Sequence, residues 1–266
     1  MISPGLGLEE VAREFPYPAR LTKAQQARIS SVAEGFLRWC PPPAHVADLG
    51  TGMAALPAVL LEVGYEAVGV DDYSDPWHQS DVVDRLTRFS RDRGFSLVRS
   101  SIEAFVPDRP LDGVSLVDVI EHLHDSPRPL LNRVGEFLAP GGVVLVVMPS
   151  SVNLRKRIAV ARGRTCYPPL DEFFGASGPW RGHVREYTPR EGADLLRMAG
   201  FEVLETTPFD AILFDRIGSR TGRTLFRGLS SIWPNLKDSF LVVGRKPSYW
   251  SPSEAWVEAG PSAGEH

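Results

Sequence analysis

Residue types able to do chemistry gather in two places in the sequence. Asp118, Glu121 and His122 lie within one short stretch. A second histidine, His183, follows in Trp180-Arg181-Gly182-His183-Val184-Arg185-Glu186-Tyr187-Thr188. Two carboxylates and two imidazoles form an adequate donor set for a divalent cation. A neutral imidazole is equally suited to removing a proton as a general base, and the same residues also serve simply to brace loops. The spacing leaves all three readings open. His45, His78, His124 and His266 are isolated and are expected at the surface or in loops.

The second place is Val46-Ala47-Asp48-Leu49-Gly50-Thr51-Gly52, an apolar run that breaks into glycines, with Gly69-Val70-Asp71-Asp72 further on. Glycines at 50 and 52 let the backbone turn tightly beside a ligand at a helix N-terminus. Asp71 follows Gly52 at the interval where an acid accepts hydrogen bonds from a ribose diol in nucleoside-binding sheets. Gly50-Thr51-Gly52-Met53-Ala54-Ala55 satisfies the relaxed dinucleotide pattern. Asp48, however, would repel a pyrophosphate, and it suits a nucleoside carrying an ammonium and a sulfonium. A purely structural turn, with Asp48 as a helix cap, is the bland alternative.

These residues need a scaffold, and the hydrophobic pattern supplies one. Thr22 and Gln25 form a capping-box pattern before Ile29, Val32, Ala33, Phe36 and Leu37 at helical spacing, and Pro41-Pro42-Pro43 stops that helix. Residues 1–20 read as irregular. Strands are expected at Val46–Leu49, Ala67–Val70, Phe95–Val98, Gly113–Ile120 and Val143–Met148, with helices between them at Ala54–Val63, Val82–Arg91 and Pro127–Leu138. Such alternation predicts an α/β fold with a parallel sheet and helices on both faces. Residues 149–187 break the alternation and read as a lid-like insertion. Thr188-Pro189-Arg190-Glu191 starts a helix that ends at Gly200. Phe201–Glu205 begins a strand, 209–235 is a second, amphipathic insertion, and Phe240–Val243 is the last strand. One domain over 1–247 and a flexible tail over 248–266 follow from this reading.

The composition narrows the partners. Lys and Arg number 29 against 33 Asp and Glu, a formal charge of -4, so a chain coated with nucleic acid is not expected. Two cysteines, Cys40 and Cys166, make neither a disulfide framework nor a four-thiolate zinc site. No apolar run is long enough for a transmembrane span and no secretory signal is visible, so a cytoplasmic monomer or homodimer is expected. Local charge is less even. Asn153–Arg164 carries Arg155, Lys156, Arg157, Arg162 and Arg164 without an acid, and Asp215–Arg227 carries Arg216, Arg220, Arg223 and Arg227. These clusters suit an anionic small-molecule acceptor, such as a nucleotide-linked sugar or a lipid-linked head group, or else are solvated helix faces.

Taken in order, four motifs resemble the class I S-adenosylmethionine-dependent methyltransferases over about residues 30–246. Asp48-Leu49-Gly50-Thr51-Gly52 matches the first motif, with Ala54 where a third glycine is common, and Asp71 matches the ribose-binding acid. Leu111–Leu123 is similar to the fourth strand and its turn, and Leu138-Ala139-Pro140-Gly141-Gly142 to the turn before strand five. The resemblance implies a Rossmann-like seven-stranded sheet, mainly parallel, with the last strand antiparallel. It implies S-adenosyl-L-methionine as cofactor, held by Asp48, Gly50, Thr51, Gly52, Asp71, Asp72 and Asp118, with Ser101 and Ile102 beside the adenine. Ser101 stands where the family often has an acid.

The acid-x-x-Glu-His unit resembles two branches, the ubiquinone-pathway O-methyltransferases and the enzymes that 2′-O-methylate small-RNA ends, which use Mg²⁺ or another divalent ion. Asp118, Glu121, His122 and His183 are the corresponding metal ligands, although Asp118 is shorter than the Glu usual there. The expectation is O-methylation of a small metabolite, sugar or lipid-linked acceptor, with His122 as base or ligand and Glu121 and His183 beside it. RNA 2′-O-methylation and a non-catalytic cofactor-binding relative are the alternatives.

Overall fold

The computed structural model of the chain describes residues 4–14, 21–74 and 80–255. Helices α1 (Pro4–Glu14) and α2 (Lys23–Trp39) precede strand β1 (His45–Leu49). The alternation then runs α3 (Ala55–Glu62), β2 (Glu66–Asp71), α4 (Ser80–Arg93), β3 (Ser96–Arg99), β4 (Leu111–Val117), α5 (Arg128–Phe137) and β5 (Leu138–Pro149). An insert with α6 (Leu154–Ala161) and α7 (Leu170–Phe174) leads to α8 (Pro189–Met198) and β6 (Glu202–Phe209). A second insert, with α9 (Leu213–Arg216) and α10 (Arg220–Ile232), leads to β7 (Ser239–Arg245).

The seven strands form one sheet in the order β3-β2-β1-β4-β5-β7-β6. β1 to β5 pair in parallel, and β7 runs antiparallel to both β5 and β6. This is the mainly parallel, Rossmann-like sheet that the motifs imply. Chain order reverses between β1 and β4, so the connections that follow them run to opposite faces of the sheet and open a crevice at their carboxyl ends, the usual ligand position in such sheets.

Two apolar layers hold the helices to the sheet. On one face Val32, Phe36 and Val59 pack with Leu145 and Leu241. On the other, Leu131, Val134 and Leu196 pack with Leu116 and Phe240. Each fully buried side chain of this size contributes roughly 2 kcal/mol of transfer free energy. Both expected capping boxes are formed, Thr22 with Gln25 and Thr188 with Glu191, and they fix where α2 and α8 begin.

Four expectations are corrected. Part of the supposedly irregular N-terminus is α1, whose Leu8 and Val11, three residues apart, are buried beside α3. β4 ends at Val117 rather than Ile120, because Asp118 takes a left-handed backbone (φ 54°) and Ile120–His122 is a single 3-10 turn. β5 begins at Leu138 rather than Val143, since Leu138 already pairs with Leu111 before a register shift. The first residues of the predicted tail are docked. The Trp250 indole packs over Gly135 and Gly200, its Nε1 donates to the Ala199 carbonyl (2.8 Å), and Asn132 pairs with Ser253. Residues 256–266, with His266, and residues 75–79, with His78, lie outside the described residues.

Candidate functional site

At the mouth of β1 the chain turns through Gly50 (φ +74°) and Gly52 (φ +51°). A Cβ on Gly50 would lie 2.7 Å from Val119 Cγ2, so only glycine allows β1 and the β4 loop to approach this closely. Asp71, ending β2, holds the turn from below. Its Oδ2 accepts the Gly52 amide (2.8 Å) and its Oδ1 accepts the Tyr73 amide (2.8 Å). Ala54, at the N-cap of α3, also has a left-handed backbone (φ 54°), a conformation that explains why glycine is common at the matching position of the family.

Asp48 and Ser115 are register partners on β1 and β4, and the Ser115 hydroxyl donates to Asp48 Oδ1 at 2.7 Å. Burial pushes the Asp48 pKa up to about 6; hydrogen bonding by Ser115 opposes the rise. A buried carboxylate beside a glycine turn is poised for a cation rather than for another anion. Asp48, Gly50, Thr51, Gly52, Asp71, Asp72, Ser101, Ile102 and Asp118 all line one cleft of about 930 Å³. That size suits a nucleoside ligand together with part of a second molecule.

The opposite wall of the cleft includes His122, His124, Trp180 and Arg181. Behind it, Glu121, His122 and His183 present one ligand atom each within 4.8 Å of one another. His122 Nδ1 donates to the Arg181 carbonyl (3.0 Å), and His183 Nδ1 donates to Glu186 Oε1 (2.8 Å). Both bonds fix the tautomer with the Nε2 lone pair free. The two rings meet edge to face at 4.9 Å. Burial, His122 and Lys156 pull the His183 pKa down to about 4, so this imidazole stays neutral.

Glu121 is wholly buried, and neither of its carboxylate oxygens has a hydrogen-bond partner. Its backbone carbonyl accepts the Val184 amide (2.7 Å), which staples the His183 loop to the turn after β4. Burial, reinforced by Asp118, pushes the Glu121 pKa up to about 8. A carboxyl group in that setting needs either a proton or a cation.

Asp118 stands apart from the trio. Its left-handed backbone turns the carboxylate toward α2, where Arg28 Nε lies 2.9 Å from Oδ2. The four-ligand set suggested by spacing is therefore corrected to three residues, because Asp118 is committed to Arg28. Lys156, counted with the exposed basic cluster, is instead buried against Glu186 in an ion pair. His45, expected at the surface or in a loop, is instead buried in β1, whereas His124 is an exposed loop residue whose Nε2 donates to the Trp180 carbonyl (2.7 Å).

Arg28, Ser115, Lys156 and Glu186 are the site residues that sequence reasoning passed over. Glu186 sits inside the Gly182–Tyr187 motif and was within reach. The others act through partners distant in sequence.

Comparison with known proteins bears on the family and the fold. The sequence model of a family described as "Methyltransferase domain" matches residues 21–206. A protein of Mycolicibacterium smegmatis named as a probable S-adenosylmethionine-dependent methyltransferase is 37% identical over 101 residues, 38% of this chain and 32% of its own length. The matched part of the chain thus spans about a third of that relative. Among solved structures, the 1,6-didemethyltoxoflavin-N1-methyltransferase of Burkholderia thailandensis, with S-adenosylhomocysteine bound, aligns with a TM-score of 0.54 at 18% identity, covering 83% of this chain and 79% of the other. The N-methyltransferase NodS of Bradyrhizobium japonicum, also with S-adenosylhomocysteine, aligns at 0.54 and 14% identity over 92% of this chain and all of the other. At these identities the likeness concerns the fold.

Proposed function

The chain belongs to the methyltransferase-domain family of class I S-adenosylmethionine-dependent enzymes, and from that premise we propose that it O-methylates an acceptor bearing a hydroxyl group. Bound S-adenosylmethionine supplies a methyl group already activated on a cationic sulfur. The Gly50–Gly52 turn leaves room for it, the Asp48 carboxylate faces its positive charge, and Asp71 keeps unused lone pairs for a ribose diol. Ser101 and Ile102 flank the cleft where the resemblance puts the adenine.

The acceptor side rests on one observation: the wholly buried Glu121, with both oxygens unpartnered, next to two imidazoles whose Nε2 atoms are free. A hydroxyl must lose its proton to attack a methyl group, and His122, which lines the cleft, is the base in this reading. Glu186 holds His183 in the same tautomer from behind. Trp180 and Arg181 close the wall around the acceptor.

The unpartnered Glu121 favours a second form of the same reading, in which a divalent cation sits on Glu121, His122 and His183. One carboxylate oxygen and two imidazole nitrogens fit such an ion and leave positions open, and the ion would lower the pKa of an acceptor hydroxyl. Titrating the protein with Mn²⁺ in a calorimeter separates the two forms. Saturable binding that Glu121→Gln abolishes, with turnover lost in chelator and regained on readdition, assigns the cation. Full turnover in chelator together with at least a hundredfold loss in His122→Ala assigns His122 as a metal-free base. If His122→Ala and Glu121→Gln both keep wild-type turnover, the acceptor chemistry lies elsewhere.

A further inference from the structure

Residues 154–179 leave the carboxyl end of β5 and return beside the cleft with almost nothing buried: Lys156 is the one buried side chain of this insert. Tyr167 (77% exposed), Leu170 (77%) and Phe174 (89%) stand in water, with Val160 and Phe173 beside them in sequence. Isolated exposed apolar residues are ordinary, but a run of large ones on a protruding insert marks an interaction surface.

The second insert repeats the pattern. Leu225 (62% exposed) and Ile232 (69%) are seven residues apart and share the outer face of α10, while Phe226 and Ser230 face inward. β6 runs parallel to β5, so both inserts emerge from the same edge of the sheet, the edge that carries the cleft. Phe173 meets Trp180 edge to face at 5.3 Å, and Trp180 lines the cleft, so the first surface adjoins the acceptor wall.

Charge identifies the occupant. Segments 153–187 and 210–237 together hold twelve Lys and Arg against five Asp and Glu, a net +7 in a chain of net -4. We propose that these two inserts dock the protein on an anionic lipid bilayer, with apolar side chains entering the interface and arginines such as Arg162 and Arg164 meeting lipid phosphates. Basic segments near a surface and inserted apolar side chains are the two attractions a peripheral protein uses. A second copy of the chain is disfavoured, since two net-positive surfaces would face each other. Nucleic acid could stack on Tyr167 and Phe174, but it gives the exposed aliphatic Val160, Leu170, Leu225 and Ile232 no role, whereas a bilayer interface buries them.

This docking does not rest on methyl transfer, and it is tested without donor or acceptor. The intact protein is sedimented with vesicles of pure phosphatidylcholine, and with vesicles in which about 30% is replaced by phosphatidylglycerol. The expected result is binding to the anionic vesicles alone, weakened at least about tenfold by 0.5 M salt. The paired variants Leu170→Ser/Phe174→Ser and Arg162→Gln/Arg164→Gln each lower vesicle affinity about tenfold or more, while their melting temperature and S-adenosylhomocysteine affinity stay at wild-type values. Failure to bind anionic vesicles, equal binding to neutral ones, or unchanged binding by both variants overturns the proposal. So does a concentration-dependent dimer that the same substitutions dissolve, or a preference for short RNA over vesicles. The S-adenosylhomocysteine measurement keeps failure of docking distinct from failure of the methyltransferase reading.

Discussion

Arg28 Nε lies 2.9 Å from Asp118 Oδ2, joining the first turns of α2 to the end of β4 across the cofactor side of the cleft. Burial pushes the Asp118 carboxyl above the usual range, and Arg28 opposes that rise. Removing the guanidinium strands a partly buried charge. Arg28→Ala is expected to cost about 2 kcal/mol of stability in urea unfolding, and adding Asp118→Asn should restore at least half of it. A double variant no more stable than the single one shows that Asp118 does not depend on Arg28.

If Asp48 faces the cofactor's positive charge as proposed, binding is expected to depend on pH. Its folded pKa of about 6 exceeds the ordinary 3.8, so between those values the folded protein keeps a proton that the unfolded chain has lost. The associated stability is complete below the unfolded value and is lost as pH rises through about 6. A cationic ligand needs the ionised form, of which about a tenth remains at pH 5. Calorimetry should therefore show S-adenosylmethionine affinity falling about tenfold from pH 7.5 to pH 5. Asp48→Asn should bind weakly with little pH dependence. A flat wild-type profile removes Asp48 as the partner of the positive charge.

The two glycines of the turn should respond differently. Gly50→Ala meets Val119 as well as backbone strain, and is expected to cost about 2 kcal/mol or more. Gly52→Ala points its methyl group into open space and carries only the strain of a left-handed backbone, about 1 kcal/mol. Because Gly52 lines the cleft, its variant should lose at least tenfold in S-adenosylhomocysteine affinity while melting close to wild type. Retained affinity in Gly52→Ala means the ligand does not approach the turn.

Lys156 pairs with Glu186, which bonds to His183, and the proposed acceptor chemistry predicts that both affect turnover. Glu186→Gln weakens the bond that fixes the His183 tautomer, and Lys156→Met leaves the Glu186 carboxylate without its ion pair. Each is expected to lower kcat roughly tenfold or more with S-adenosylmethionine affinity unchanged. Loss confined to cofactor affinity, with kcat intact, contradicts that placement.

Much of the scaffold was legible because its signals are local. The two capping boxes, the Gly50-x-Gly52 turn and the alternation of apolar runs each sit within a few neighbouring residues, and the seven-stranded, mainly parallel sheet with its last strand antiparallel followed from the motif resemblance. Glu121, His122 and His183 were also nameable, since each belongs to a short motif. Their partners were not. Whether Asp118 joins that trio or turns to Arg28 is decided by one left-handed residue at the end of β4. Lys156 looked like one more solvated base in an arginine-rich helix, and only the fold of the insert carries it inward to Glu186. The α1 helix was hidden because Leu8 and Val11 are a thin apolar signal that gains meaning only against α3.

The docked Trp250 lies where α5 runs into β5 and α8 runs into β6, at the amino end of those strands and away from the crevice. From there the chain runs back along α5, where the Ser253 amide donates to Asn132 Oδ1 (2.9 Å), one turn nearer the amino end of that helix. Trimming back to Pro247 would pull the indole from its seat, uncover Gly135 and Gly200, and leave the Ala199 carbonyl without that donor.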